Sequence, residues 1–278
     1  MIKKIALLFA LTFVFISCNT DDDTTPTVIM GCTDDGSINY NSAATNDDGS
    51  CVFPKLTFSF SHNWDGTNVA ASDFGDLNYT NAHGEILSIL KLRYLISKII
   101  LHKSNGDTIE FEGYQLVDLT DESTLTFASD LDVPIGDYSG ISFIYGFNEA
   151  DNIDDEYQDL NSVNWNWPEM LGGGYHFMQF EGNYLDGTGN PQPYAYHNGT
   201  ARVSAGVFEQ NFIEVELPAI TITNNAIVEI KMNLAEWFKN PNTWDLNTLN
   251  VALMGNYDAQ IMMNENGQNV FSLGEITQ

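Results

Sequence analysis

Basic residues are scarce in this chain of 278: 10 Lys and Arg stand against 38 Asp and Glu, a formal charge of -28. Such a surface repels phosphate and excludes a nucleic-acid binder. Cysteine is nearly absent, at three residues, so a dense disulfide scaffold cannot form. Proline numbers only eight, and no low-complexity linker or internal repeat interrupts the body. Also missing are GxSxG, HExxH and the P-loop, and with them the common serine hydrolase, zincin and nucleotide-hydrolase chemistries. Long apolar runs are absent beyond the first 16 residues. What is present is a 43% apolar, 12% aromatic composition, enough to bury a large core beneath an acidic, solvated surface.

The N-terminus reads as an address. Met1-Ile2-Lys3-Lys4 and the apolar run 5–16 have the basic and hydrophobic regions of a secretory signal, too short to span a bilayer. Phe15-Ile16-Ser17-Cys18 looks like a bacterial lipoprotein cleavage box, with Phe where Leu is usual. Residues 1–17 are therefore expected to be a signal peptide and Cys18 the lipidated residue, anchoring the protein in the outer membrane on its surface or periplasmic face. Residues 18–30, which include Asp21-Asp22-Asp23, read as a flexible tether, and an acidic run at this place resembles the export signal of Bacteroidetes-type surface lipoproteins. Lipidation consumes Cys18, leaving Cys32 and Cys51 as a disulfide pair in an oxidising compartment. They bracket an acidic module, 31–53, whose Asp-Asp-Gly turns offer oxygens for Ca²⁺. That ion takes roughly six to eight such ligands, although the same clusters are ordinary turn formers.

From residue 54 to 278 the chain alternates short runs rich in Val, Ile, Phe, Tyr and Thr with Gly, Asn and Asp. The pattern predicts an all-β domain, an antiparallel β-sandwich with one or two short helices. Strands are expected at 56–64, 91–102, 108–117, 138–147, 175–184, 200–207, 212–217, 226–233 and 250–255, with a hairpin turn at Ser104-Asn105-Gly106-Asp107. Helix is expected only near 156–164 and 234–239.

Without thiolates, imidazole is the metal ligand to inspect, and the chain has five: His62, His83, His102, His176 and His197. Alternation places Leu56, Phe58, Phe60, His62 and Trp64 on one strand face. It likewise places His176 with Met178 and Phe180. His83, in a Gly-flanked loop, and His102, at a hairpin end, read most simply as solvent-facing. His197 falls at a loop-to-strand junction.

Several blocks resemble, in order, those of the MbnP-like copper-binding domain. They are residues 90–101 (LKLRYLISKIIL) with the Asn-Gly turn after them, Ile135-Gly136-Asp137-Tyr138, Trp165-Asn166-Trp167-Pro168-Glu169-Met170, residues 174–182 (GYHFMQFEG), and His197-Asn198-Gly199. The resemblance spans about residues 55–277. It implies a copper site of two imidazoles with an oxidised tryptophan, a kynurenine, on or near the metal, and a di-haem peroxidase partner that performs the oxidation. Carried onto this chain, the ligands are His62, matching the first-strand His, and His197, in the H-x-G block. His176 is the third metal candidate, at a position where the family more often has Lys or another residue. Trp64 is the first candidate for oxidation, Trp165 and Trp167 the alternatives, and Asp65 or Glu181 could orient the imidazoles. The function implied is copper acquisition or storage without turnover. The competing reading is a glycan- or protein-binding surface module that uses Trp165, Trp167, Tyr175, Tyr184, Tyr194 and Tyr196 as stacking platforms. A copper redox enzyme is a third, disfavoured because no His₂Cys electron-transfer set is present.

Overall fold

A computed structural model describes residues 27–278; the signal segment, Cys18 and most of the tether lie outside the described residues. The body is a β-sandwich of a nine-stranded and a five-stranded sheet. Nine strands carry it: β1 (Leu56–Trp64), β2 (Lys91–Lys103), β3 (Thr108–Asp118), β4 (Gly136–Tyr145), β5 (Met178–Leu185), β6 (Pro191–Asn198), β7 (Ile213–Leu217), β8 (Ala226–Asn233) and β9 (Phe271–Thr277). Strand β2 organises the large sheet. β3 runs along one of its edges, while β4 and β5 share the other edge end to end, with β7 beyond β4 and β6 beyond β5. In the small sheet the order is β9-β8-β1. Within these two sheets pairing is antiparallel except between β8 and β1, which run parallel from Ala226↔Leu56 to Asn233↔Asn63.

The period-two pattern of β1 explains its place. Leu56, Phe58, Phe60, His62 and Trp64 are all buried, and the residues between them are half-buried. The alternating Ala226, Val228, Ile230 and Met232 of β8 join them, facing Leu92, Tyr94 and Ile96 of β2 in one apolar cluster. β2 changes phase at Lys98, a bulge with φ 48°. Before it even-numbered residues enter the core, and after it Ile99 and Leu101 do, because one extra residue reverses which face every later side chain occupies.

A smaller cluster of Leu95, Phe147, Leu160, Trp165 and Tyr175 lies on the opposite, outer face of the large sheet. It holds down the loop that carries the short helix α1 (Gln158–Ser162). The second predicted helix is a 3-10 turn, Leu234–Phe238. Three expectations are corrected. Residues 250–255 form no strand but end in the 3-10 turn Leu253–Gly255; residues 200–207 break at the Ser204-Ala205-Gly206 turn; and β9 and an 11-residue helix, α2 (Tyr257–Gly267), lie where no element was expected.

Cys32 and Cys51 are joined. In the chain-entropy account, closing a loop of this length stabilises the module by about 3 kcal/mol. The module docks on the body where the Ile135 amide donates to the Gly36 carbonyl at 2.8 Å. Its acidic turns are self-satisfied: Asp34, Asp47 and Asp48 each accept an amide N–H two residues on. Among the described residues no helix is long and apolar enough to cross a membrane.

Candidate metal centre

Two of the histidines named from sequence meet. His176 and His197 lie edge to face with ring centroids 5.2 Å apart. His197 is on β6, opposite Gln179 of β5, which in turn lies opposite Arg93 of β2. The next residues in each strand, Asn198, Met178 and Tyr94, also align, and Met178 and Tyr94 lie in the core. Since neighbours along a strand point to opposite faces, His197 projects from the outer face of the large sheet. His176 precedes β5, and the alternation expected of it fails there: Phe177 and Met178 both enter the core. His176 instead lies under the outer loop, held by its own amide, which donates to the Trp165 carbonyl at 2.8 Å.

The Trp165-Asn166-Trp167 block folds back on this segment, through the Asn166↔Tyr175 bridge and the Trp167 amide, which donates to the Gly174 carbonyl. Both indoles thereby flank His176: Trp167 is perpendicular to it at 4.9 Å and Trp165 tilted at 5.6 Å. The glycine of the His197-Asn198-Gly199 block has a steric reason. A Cβ there would lie 2.6 Å from the Trp167 ring, so only glycine lets the indole close over the strand end. The guanidinium of Arg93 covers Trp165 at 5.1 Å, a cation–π contact, and donates to Gln179 Oε1 at 2.6 Å.

The two imidazoles sit in different surroundings. His197 Nε2 is 2.9 Å from Glu181 Oε1, and Lys91 Nζ is 2.7 Å from the same oxygen. The hydrogen bond from His197, then that from Lys91, hold the Glu181 carboxyl at about 2, so it is ionised and accepts. The proton of a neutral His197 therefore sits on Nε2, which leaves Nδ1 with a free lone pair. A carboxylate on the far nitrogen is the arrangement that orients a metal-binding imidazole. His176 is only 6% exposed; burial first, then the neighbouring His197, pushes its pKa down to about 3. It is neutral, and its buried Nδ1 has no hydrogen-bond partner. An orphaned buried donor or acceptor costs about 1–3 kcal/mol, which a bound ion would relieve.

The structure does not bring His62 to His197. His62 sits in the core with Nε2 3.0 Å from the Tyr94 hydroxyl, on the face of the large sheet opposite His197. Burial lowers its pKa to about 4. Trp64 shares that interior, packed on Tyr79 and Phe238 with its Nε1 donating to the Thr80 carbonyl. Asp65 pairs with Lys239 and Asn233 rather than with an imidazole. Trp165, Trp167, Tyr175, Tyr184, Tyr194 and Tyr196 are all buried, at 3% exposure or less, and so present no platform to a glycan. His102 bonds Ser142 Oγ at 2.7 Å.

Residues 54–262 match the family model MbnP. The chain belongs to the MbnP family. This family is associated with copper. Among solved structures, the fold matches MbnP from Methylosinus trichosporium with a TM-score of 0.52 at 13% identity, covering 79% of this chain and 98% of that one. At that identity the likeness is one of fold. No curated protein sequence matches.

Sequence reasoning missed the roles of Arg93, Gln179 and Lys91, because register across three strands brings them to the histidines. The signal within reach was the aligned, odd-numbered polar residues of β2 and β5.

Proposed function

We propose that this MbnP-family chain binds one copper ion between His176 and His197 on the outer face of the large sheet. The observation that carries the reading is the buried, unpartnered Nδ1 of His176 beside a second imidazole whose Nε2 is tied to a carboxylate. Two imidazoles bound to one ion through bonds of about 2 Å place their centroids roughly 4.5–6 Å apart, the range in which 5.2 Å falls. Neutral imidazoles suit copper, which heads the divalent affinity series. The protein's contribution is to keep the buried His176 ring neutral, fix the orientation of both imidazoles and exclude water with the two indoles.

Trp167 and Trp165, and not Trp64, are then the tryptophans placed for conversion to kynurenine, by the di-haem peroxidase that the family resemblance implies. Acquisition or storage of copper by an outer-membrane lipoprotein anchored through Cys18, without turnover of its own, completes the reading.

Copper titration with spectroscopic detection tests it. His176→Ala and His197→Ala should each abolish stoichiometric binding, while His62→Ala should retain it. Loss with His62→Ala and retention with His176→Ala would return the site to the core face. Peptide mass spectrometry of protein from its native membrane should find kynurenine at Trp167 or Trp165, and finding it at Trp64 instead would refute this placement.

A further inference from the structure

A second convergence of ligand atoms lies far from these histidines. Short strands Tyr79–Thr80 and Ile86–Leu87 form a hairpin whose turn contains His83 and Glu85. Asn81 builds the turn: its Oδ1 accepts the amides of Gly84 and Glu85, each at 2.9 Å, and its Nδ2 donates to the Trp244 carbonyl at 3.2 Å. The segment after the fully buried Trp244 is thereby brought against the turn. Asp245 and Asn247 follow, with the Asn247 side chain donating to Glu85 Oε1 at 2.7 Å.

In this setting His83 Nδ1 lies 2.6 Å from Glu85 Oε1 and 3.6 Å from Asp245 Oδ1. The ligand atoms of all three residues lie within 4.8 Å of one another. Glu85 is the unusual member. Its side chain is 5% exposed, and its second oxygen, Oε2, is buried with no hydrogen-bond partner. A carboxylate is rarely buried unless each oxygen is satisfied, and here a second carboxylate stands beside it. His83 and Asp245 are more open, at 44% and 31%, so the cluster has a buried floor and a mouth facing solvent.

We propose that His83, Glu85 and Asp245 form a separate binding site for a divalent transition-metal ion of the zinc class. One imidazole nitrogen and two carboxylates are donors such ions accept, and the exposed mouth leaves a position for water. Four-coordinate zinc spaces its ligand atoms by about 3.3 Å; the 3.6 Å separation meets this already, and the 2.6 Å contact opens by less than 1 Å once the ion replaces the shared proton. The ion neutralises the paired carboxylates and ties the hairpin turn to the segment after Trp244. Leu87, two residues beyond Glu85, pairs with Tyr184 near the end of β5 remote from His176. Roughly 20–25 Å of extended strand thus separates the two clusters.

The test is zinc titration, with calorimetry and metal analysis after dialysis, on the full chain carrying His176→Ala and His197→Ala. This background makes the result independent of the copper reading. One zinc per chain is expected, together with cobalt d–d bands of an N,O-ligated site. Adding His83→Ala, at an exposed position where folding is not at risk, should weaken zinc binding at least tenfold, as should Asp245→Asn, with far-UV circular dichroism unchanged. Zinc affinity unchanged within twofold in His83→Ala, or no zinc retained after dialysis of the background protein, would overturn the site. In that event the hydrogen bond between His83 and Glu85 is the whole role of the cluster.

Discussion

Gln260 of α2 grips the strand end that carries His197: its amide nitrogen donates to the His197 carbonyl at 2.8 Å, and its carbonyl accepts from the Gly199 amide at 3.2 Å. The side chain is completely buried, so it acts as a fixed backbone clamp placing the imidazole opposite His176. Gln260→Leu keeps the volume but strands a buried carbonyl and amide, at about 1–3 kcal/mol for each group left unpaired. Urea denaturation should show a loss of that order, and copper affinity should fall at least tenfold while the stoichiometry at saturation stays at one. Unchanged affinity would show that β6 holds His197 without help from the helix.

Glu181 acts on the same imidazole from the other side. Glu181→Ala removes the acceptor that keeps the His197 proton on Nε2 and leaves Lys91 beside the site without its partner. Loss of such an orienting carboxylate typically costs 10–100-fold in metal affinity. Competition titration against a copper chelator should read a decrease in that range, and a change below twofold would remove the carboxylate from the site.

These two residues show how unevenly the arrangement was legible. The alternation Leu56, Phe58, Phe60, His62, Trp64 announced a strand with a buried face, and that is its form in the fold. It could not announce that β1 pairs in parallel with β8, because strand direction leaves no mark in a local pattern. It also could not reveal which sheet face its histidine would share with another. Lys98 sharpens the point: a single bulged residue exchanges the faces of β2, and nothing in the run LKLRYLISKIIL marks it. The helix α2 escaped notice because its buried side includes Gln260 and Asn266, polar residues spent on backbone carbonyls, so no apolar stripe existed to be read. Glu181 was nameable as an orienting carboxylate, since it lies in a block with His176, whereas Arg93 and Gln179 gained their roles only through register.

Gly199 tests the packing of the indole. The Cβ of Gly199→Ala would meet the Trp167 ring at 2.6 Å, and both neighbours are buried, so Trp167 must leave its contact with His176. Overpacking of this kind costs about 1–3 kcal/mol. A loss of that size in denaturation, with altered tryptophan fluorescence and weakened copper binding, is the expected result. A variant of wild-type stability would mean that the loop over Trp167 yields freely.

Acid should unfold the metal-free protein early, for reasons that can be assigned to residues. His62 and His176 have pKa values pushed by burial from 6.5 to about 4 and about 3, so both are neutral in the native state where the unfolded chain is protonated. Unfolding then takes up protons as the pH falls below 6.5. The stability these groups contribute is full above that value and declines toward pH 4, by about 1.4 kcal/mol per pH unit for each. Carboxylates such as Glu181, held low by their partners, lose their contribution only below about 4.5, so the histidines dominate between pH 5 and 6. His83 has the opposite sign, its pKa being raised by Glu85, but it is solvent-exposed and its effect is small. Urea midpoints of chelator-treated protein between pH 7 and 5 should therefore fall steeply. His62→Gln and His176→Gln should each remove a comparable share of the slope even though each lowers stability at pH 7. A slope unaffected by either variant would mean that both imidazoles take up protons in the folded protein, and that neither is as buried as its packing requires.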